Sequence, residues 1–352
     1  MKTATFFAFI VLAACFGARG ASAACDPVGN TGFICGTFNS EDLVQVAGTP
    51  WIIASGLAEP VGHLYLIDAR SHEVTVLIPG TEVAFHQDKA SYGACPGAPD
   101  QKTFSAHGLN IRREADGTDT LYVVHHGGRE SIEIFTLDAR HGQPKLTWVG
   151  CVVYPPNTSP NAVAPLPGKG FAATSLFNPN DPKFADKLFA KEPMGNSFTW
   201  HPHKGWELIA GAADISGDNG IETSRDGKWV FIAGWGDETL VRLSLDPKHP
   251  SRDVIKTGFH TDNLRWGPDG VLYAAGQADT AQNIFGCFAS KSEICTNPFT
   301  VLKVDPQSLA HEAVIEDKGS LAFGGGTTGL KVGHEFWVGT FRGDKIAILA
   351  GH

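Results

Sequence analysis

Short runs of β-branched and other apolar residues recur at 51–54, 120–124, 170–174, 229–233, 271–275 and 335–339, their centres about 42 to 70 residues apart. A second run follows each one, at 64–68, 132–137, 197–200, 240–245, 300–304 and 345–349. Hairpin turn signals precede several of the first set: Asp116-Gly117, Asp226-Gly227 and Asp269-Gly270. Helical periodicity is confined to 181–191 and 279–285, both inside insertions. Six units of three or four short strands predict an all-β fold, a six-bladed β-propeller filling one domain over 24–352. A pair of sandwiches or a β-helix would not give this sixfold spacing. Residues 33–38 are expected to supply the outer strand of the last blade and so close the ring without an open edge.

A propeller's innermost strands begin around a central channel. About eight to thirteen residues before each first run, where those strands should start, stand Glu41-Asp42, His107, Asn161, Asn219, Asp262-Asn263 and Thr327-Thr328. Any one Asn or Asp there could simply cap a turn. Polar side chains at one station of successive repeats instead converge on one axis. Two carboxylates and three amides make a hard, oxygen-rich set that suits Ca²⁺ and offers no thiolate to a softer metal. The stretch with Asp214, Asp218 and Asn219 lacks the acidic alternation and closing Glu of an EF-hand, so Asp214 and Asp218 are expected in a loop.

Charge narrows the partners. The formal net charge is −9, and the chain has no Lys/Arg-rich run, which excludes nucleic acid as a working partner. Residues 1–23 read as a signal peptide: Lys2, an apolar stretch over 3–16, and the small-residue site Ala21-Ser22-Ala23. Its removal takes two positive charges from −9 and leaves −11. Export to the periplasm or beyond is expected, with a lipoprotein anchor at Cys15 as the lesser alternative. No later run is long enough for a transmembrane helix. Six cysteines remain: Cys25, Cys35, Cys95, Cys151, Cys287 and Cys295. They permit fifteen pairings; short loops favour Cys287–Cys295 and Cys25–Cys35, leaving Cys95–Cys151.

The stretches Asn39-Ser40-Glu41-Asp42-Leu43, His107-Gly108-Leu109, Asp218-Asn219-Gly220-Ile221 with Asp226-Gly227, and Asp262-Asn263 occur in an order that resembles the paraoxonase/arylesterase family. That family is a branch of the wider gluconolactonase-like propeller group. The resemblance implies calcium-dependent hydrolysis of lactones and aryl esters. It implies a catalytic calcium on Glu41, Asn161, Asn219, Asp262 and Asn263, and a histidine dyad of His107 and His126. It also implies a second, buried calcium held partly by Asp42 and the Leu109 carbonyl. The family's Asp after the asparagine is here Ala162, which predicts a weakened second site, and the tail Leu349-Ala350-Gly351-His352 lacks the family's bridging cysteine.

The expected activity is therefore carboxylic ester hydrolysis of a small-molecule lactone or ester. His107 is the expected base, or else a metal-bound carboxylate, Glu41 or Asp262. No G-x-S-x-G elbow occurs, which argues against a serine hydrolase. Two alternatives stay open: a non-catalytic propeller that calcium merely stiffens, and a sugar-lactone enzyme on the same scaffold. Substrate choice should lie in the insertions 80–103, 177–196 and 278–296, with Trp200-His201-Pro202-His203 and Gly234-Trp235-Gly236 as candidate aromatic walls. Oligomeric state is not readable from the sequence.

Overall fold

The computed structural model describes residues 25–58, 61–80, 83–290 and 293–351. The signal segment expected at 1–23, with Cys15, lies outside them. The described residues form six antiparallel sheets arranged as a β-propeller. Blade 1 comprises Leu43–Gln45, Trp51–Gly56, His63–Asp68 and Val74–Ile78. Blade 2 comprises Ser105–Arg113, Asp119–His126, Ser131–Asp138 and Lys145–Val153, with Ala84–Phe85 added in parallel outside. Blade 3 runs through Pro160–Leu166, Gly170–Ser175, Asn196–His201 and Gly205–Leu208. Blade 4 holds Asp218–Thr223, Trp229–Gly234, Thr239–Ser244 and Arg252–Lys256. Blade 5 holds His260–Trp266, Leu272–Gln277, Phe299–Val304 and His311–Asp317. Blade 6 is Gly326–Val332, Glu335–Thr340, Lys345–Ala350 and, from the other end of the chain, Gly32–Cys35.

Both sets of apolar runs are thus second and third strands. They are apolar on both faces because each blade is covered by a neighbour on either side. Gly170–Ser175 is buried at every position, whereas the outermost strand Arg252–Lys256 alternates exposed and half-buried. That alternation is why outer strands gave the weaker sequence signal.

The ring closes by antiparallel pairing of Gly32–Cys35 with Lys345–Ala350, from Gly32 opposite Ile348 to Cys35 opposite Lys345. The closing strand ends earlier than the expected 38 because Gly36 turns the chain with φ +91. Three disulfides are present, Cys25–Cys35, Cys95–Cys151 and Cys287–Cys295. The first ties the closing strand to the residues before it, and the second ties the 80–103 insertion to the outer strand of blade 2.

Strand direction sorts the molecule into two ends. Inner strands start, and second strands finish, at what we term the upper end. All three insertions leave from that end. Two carry the expected helices, Phe184–Phe189 and Ala281–Ala289, and the third carries a short one that the sequence pattern missed, Lys89–Tyr92. Trp200 lies at the opposite end: it pairs with Trp206 across the strands and its ring stacks on Phe171, 5.2 Å between centroids. The expectation that Trp200-His201-Pro202-His203 walls the site is therefore corrected; this segment is the lower turn of blade 3. Trp235 is at the upper end, stacked on His260 at 4.2 Å and edge-on to Phe285 at 5.7 Å. Phe189 meets Phe285 edge-on at 5.3 Å, so the two insertion helices share an apolar contact above blades 4 and 5.

Candidate functional site

The polar station has a common backbone cause. In five blades the register between inner and second strand slips at the same place, so two inner-strand residues face one partner. The pairs are His107-Gly108, Asn161-Ala162, Asn219-Gly220, Asp262-Asn263 and Thr327-Thr328. A β-bulge of this kind frees its residues from the ladder and re-aims their side chains. Glycine at the second position lets neighbouring inner strands close in. A Cβ on Gly220 would sit 2.1 Å from the Asp262 carbonyl oxygen, and one on Gly108 would sit 2.3 Å from that of Asn161. In blade 1 the equivalent residues, Glu41 and Asp42, stand just before the inner strand.

The upper layer of the channel gathers Glu41, Asn161, Asn219, Asp262 and Asn263, all buried. Glu41 Oε1 accepts from the Asn263 amide, and Asp262 Oδ2 accepts from Gln277 Nε2 at 2.8 Å. Gln277 in turn is held by Trp235 Nε1, 2.9 Å away. Four side-chain oxygens of this layer have no hydrogen-bond partner: Glu41 Oε2, Asn161 Oδ1, Asn219 Oδ1 and Asn263 Oδ1. Buried acceptors are seldom left unpaired, and four together in one layer offer a ready coordination shell for a hard cation. The carboxyls show the same need. Burial, then the charges of Asp262 and Asp42, hold Glu41 well above the usual carboxylate range. Burial, reinforced by Asp42, pushes Asp262 up to about 7. Among the described residues no three His, Cys, Asp or Glu cluster as ligands; amides complete this set.

Beside the layer runs a chain of three side chains. His107 Nδ1 lies 2.9 Å from His126 Nε2, and His126 Nδ1 lies 2.5 Å from Glu130 Oε2. His107 Nε2 faces Glu41 Oε2 at 3.8 Å. Burial, then the positive charge available to His126, push His107 well below the ordinary imidazole value. Glu130 was not among the sequence candidates. Its signal was present as an acid four residues after His126, brought back by the Gly127-Gly128 turn, where both glycines have positive φ.

Two expectations from the sequence need correcting, the first of them one layer lower. Asp42 and the Leu109 carbonyl do come together, but around the guanidinium of Arg265. Arg265 sits in the inner strand of blade 5, buried, and also bonds the carbonyls of Leu43 and Leu264 at 2.8 and 2.6 Å. Asp218, expected in a loop with Asp214, opens the inner strand of blade 4; it is buried and accepts from Ser197 Oγ. Asp214 is a surface residue paired with Arg252 at 2.9 Å.

No protein-family model matches the chain. Among curated proteins, human serum paraoxonase/lactonase 3 is 28% identical over 181 residues, 49% of this chain and 48% of that protein. The mouse protein of the same name is 26% identical over 237 residues, 64% of this chain and 59% of that one. The chain is similar to these paraoxonases over part of its length. The matched region covers about half the length of these relatives. Solved propellers align over nearly the whole chain: a gluconolactonase from Xanthomonas campestris (TM-score 0.52, 14% identity, 94% of this chain and 97% of that one) and a luciferin-regenerating enzyme (TM-score 0.53, 11% identity, 91% and 92%). At that identity they support the six-bladed fold of this chain and nothing finer.

Proposed function

We propose that this protein is a calcium-dependent hydrolase of lactones and of related carboxylic esters. The observation that carries the reading is the layer of unpartnered buried oxygens set directly against the His107–His126–Glu130 chain. Glu41, Asn161, Asn219, Asp262 and Asn263 would hold the ion. Bound Ca²⁺ supplies Lewis-acid polarisation of the substrate carbonyl and charge stabilisation of the oxyanion.

The remaining steps belong to the protein. His107 accepts the proton of the attacking water at Nε2. Its Nδ1–H donates to His126 Nε2, and His126 Nδ1–H donates to the Glu130 carboxylate, so both rings are held in one tautomer. Water oxygen bonds the carbonyl carbon, the C–O bond to the leaving alkoxide breaks, and the proton returns from His107 to that alkoxide. A lactone then leaves as its hydroxy acid. The lowered pKa of His107 keeps it neutral and able to accept a proton at pH 7. The upper insertions, with Phe189 and Phe285, would offer apolar surface to the substrate. The three disulfides suit an oxidising compartment and support export.

The test is a hydrolysis screen of lactones and phenyl esters with and without a calcium chelator. Hydrolysis that persists undiminished in chelator would overturn the reading. Two variants probe single parts. Asn219→Ala should fold yet bind Ca²⁺ more weakly, by at least the roughly 10- to 100-fold typical of losing a supporting partner; titration calorimetry reads this directly. Glu130→Gln should lower kcat roughly 10-fold with KM little changed, since one charge-assisted bond to the relay becomes a neutral one.

A further inference from the structure

The lower channel layer buries two carboxyls, Asp42 and Glu222, next to the inner strands of blades 1, 2 and 4. Buried acids at an axis call for a cation. For a second metal ion the donor set does not fit. Asp42 Oδ1 already accepts from the Leu43 amide at 2.8 Å, and Oδ2 accepts from the Leu109 amide at 2.7 Å and from Arg265. The Leu109 carbonyl accepts from Arg265 Nη2 at 2.7 Å, and Ala162 brings no side-chain oxygen. Neither Asp42 nor Glu222 leaves a buried oxygen unpartnered, in contrast to the layer above.

We propose that Arg265 is the built-in cation of this layer, so that the protein holds at most one calcium and braces its lower channel with a guanidinium. The geometry is that of a saturated fork. Nε bonds the Leu43 carbonyl, Nη1 the Leu264 carbonyl and, at 3.4 Å, Glu222 Oε1, and Nη2 bonds Asp42 and the Leu109 carbonyl. All five N–H groups thus have acceptors, drawn from blades 1, 2, 4 and 5. Asn110 adds a bond to Glu222 Oε1 at 3.0 Å, which fixes the acid that faces the fork. A tethered cation does the bracing of a metal ion but cannot be chelated or exchanged.

This inference goes beyond the proposed activity, and its test separates the two. Wild-type protein is stripped with chelator and followed by amide hydrogen exchange at Leu43 and Leu109, the two donors to Asp42. Protection at both should survive stripping; its loss would overturn the inference. Metal analysis of calcium-saturated wild type should give one ion per chain, and two would overturn it. A count of zero would sink the hydrolase reading while leaving the guanidinium brace standing. The double variant Arg265→Ser with Ala162→Asp vacates the fork and supplies an oxygen. It should bind one more calcium than wild type and melt higher when calcium is added. A folded double variant with an unchanged count would also overturn the inference, and if it does not fold, the exchange and metal measurements on wild type decide.

Discussion

His107→Gln should lower kcat/KM for a lactone substrate by about 10²- to 10⁴-fold, the usual contribution of a general base. Gln keeps a polar group of similar size but cannot accept a proton at neutral pH. Calcium affinity should barely change, because His107 is not among the proposed ligands. In the wild type, activity should fall on the acid side as the imidazole protonates. That limb should lie below the ordinary imidazole value of 6.5, because burial and His126 both disfavour the charged ring. A dication nearby would push in the same direction. The rival is a carboxylate base, Glu41 or Asp262. A pH–rate profile of the variant at saturating calcium separates the two: a rate within about threefold of wild type and an unmoved acid limb would remove His107 from the mechanism.

Removing calcium should abolish turnover and lower the melting temperature. An ion that binds only the folded state adds about 2.7 kcal/mol at a hundredfold excess over its Kd. At about 2.1 cal/mol/K per residue, that is about 4 °C for a chain of this length. The loss should depend on pH, with a definite sign. In the metal-free protein the folded-state pKa of Asp262 is raised to about 7, and that of Glu41 is also raised. The folded state then binds more protons than the unfolded one. Metal-free stability is therefore greatest below the unfolded carboxylate range near 4 and falls as pH rises towards 7. Calcium should consequently stabilise more at pH 7 than at pH 5. Scanning calorimetry at both values, with and without chelator, checks it; an equal shift at the two would mean that these carboxyls do not face the ion.

The fold was legible because second and third strands are covered on both faces and so carry unbroken apolar runs such as 229–233 and 271–275. The polar station was legible as a position, since Asn161, Asn219 and Asp262 recur at one offset from those runs. The backbone reason for it, a bulge repeated in five blades, was not, because a slipped register leaves no composition signal beyond an occasional glycine. Long-range partners were the least visible. Arg265 reads as one polar residue between Leu264 and Trp266, and nothing local says that its acceptors come from three other blades. Gln277, which holds Asp262 across two strands and also bonds the Gly326 carbonyl at 2.9 Å, hides at a strand end in the same way. Asp218 was misread because its acidic neighbours suggested a solvated turn, whereas Ser197 of blade 3 donates to it across the boundary with blade 4.

Closing the ring with Gly32–Cys35 gives the molecule a seam, and the seam has a consequence for biogenesis. Blades 1 to 5 are each drawn from one continuous stretch and can zip up as the polypeptide emerges. The strand Gly32–Cys35 cannot; it must wait for its partner Lys345–Ala350, on the far side of the other five blades in the chain. Glu41 likewise waits for Asn263, 222 positions further on, and Asp42 waits for Arg265, 223 positions on. Neither axial layer can form on a chain that stops before Arg265, so such a truncated product lacks the site, and the strand Gly32–Cys35 keeps a bare edge. Assembly of the centre is in effect a receipt for the stretch from Glu41 to Arg265.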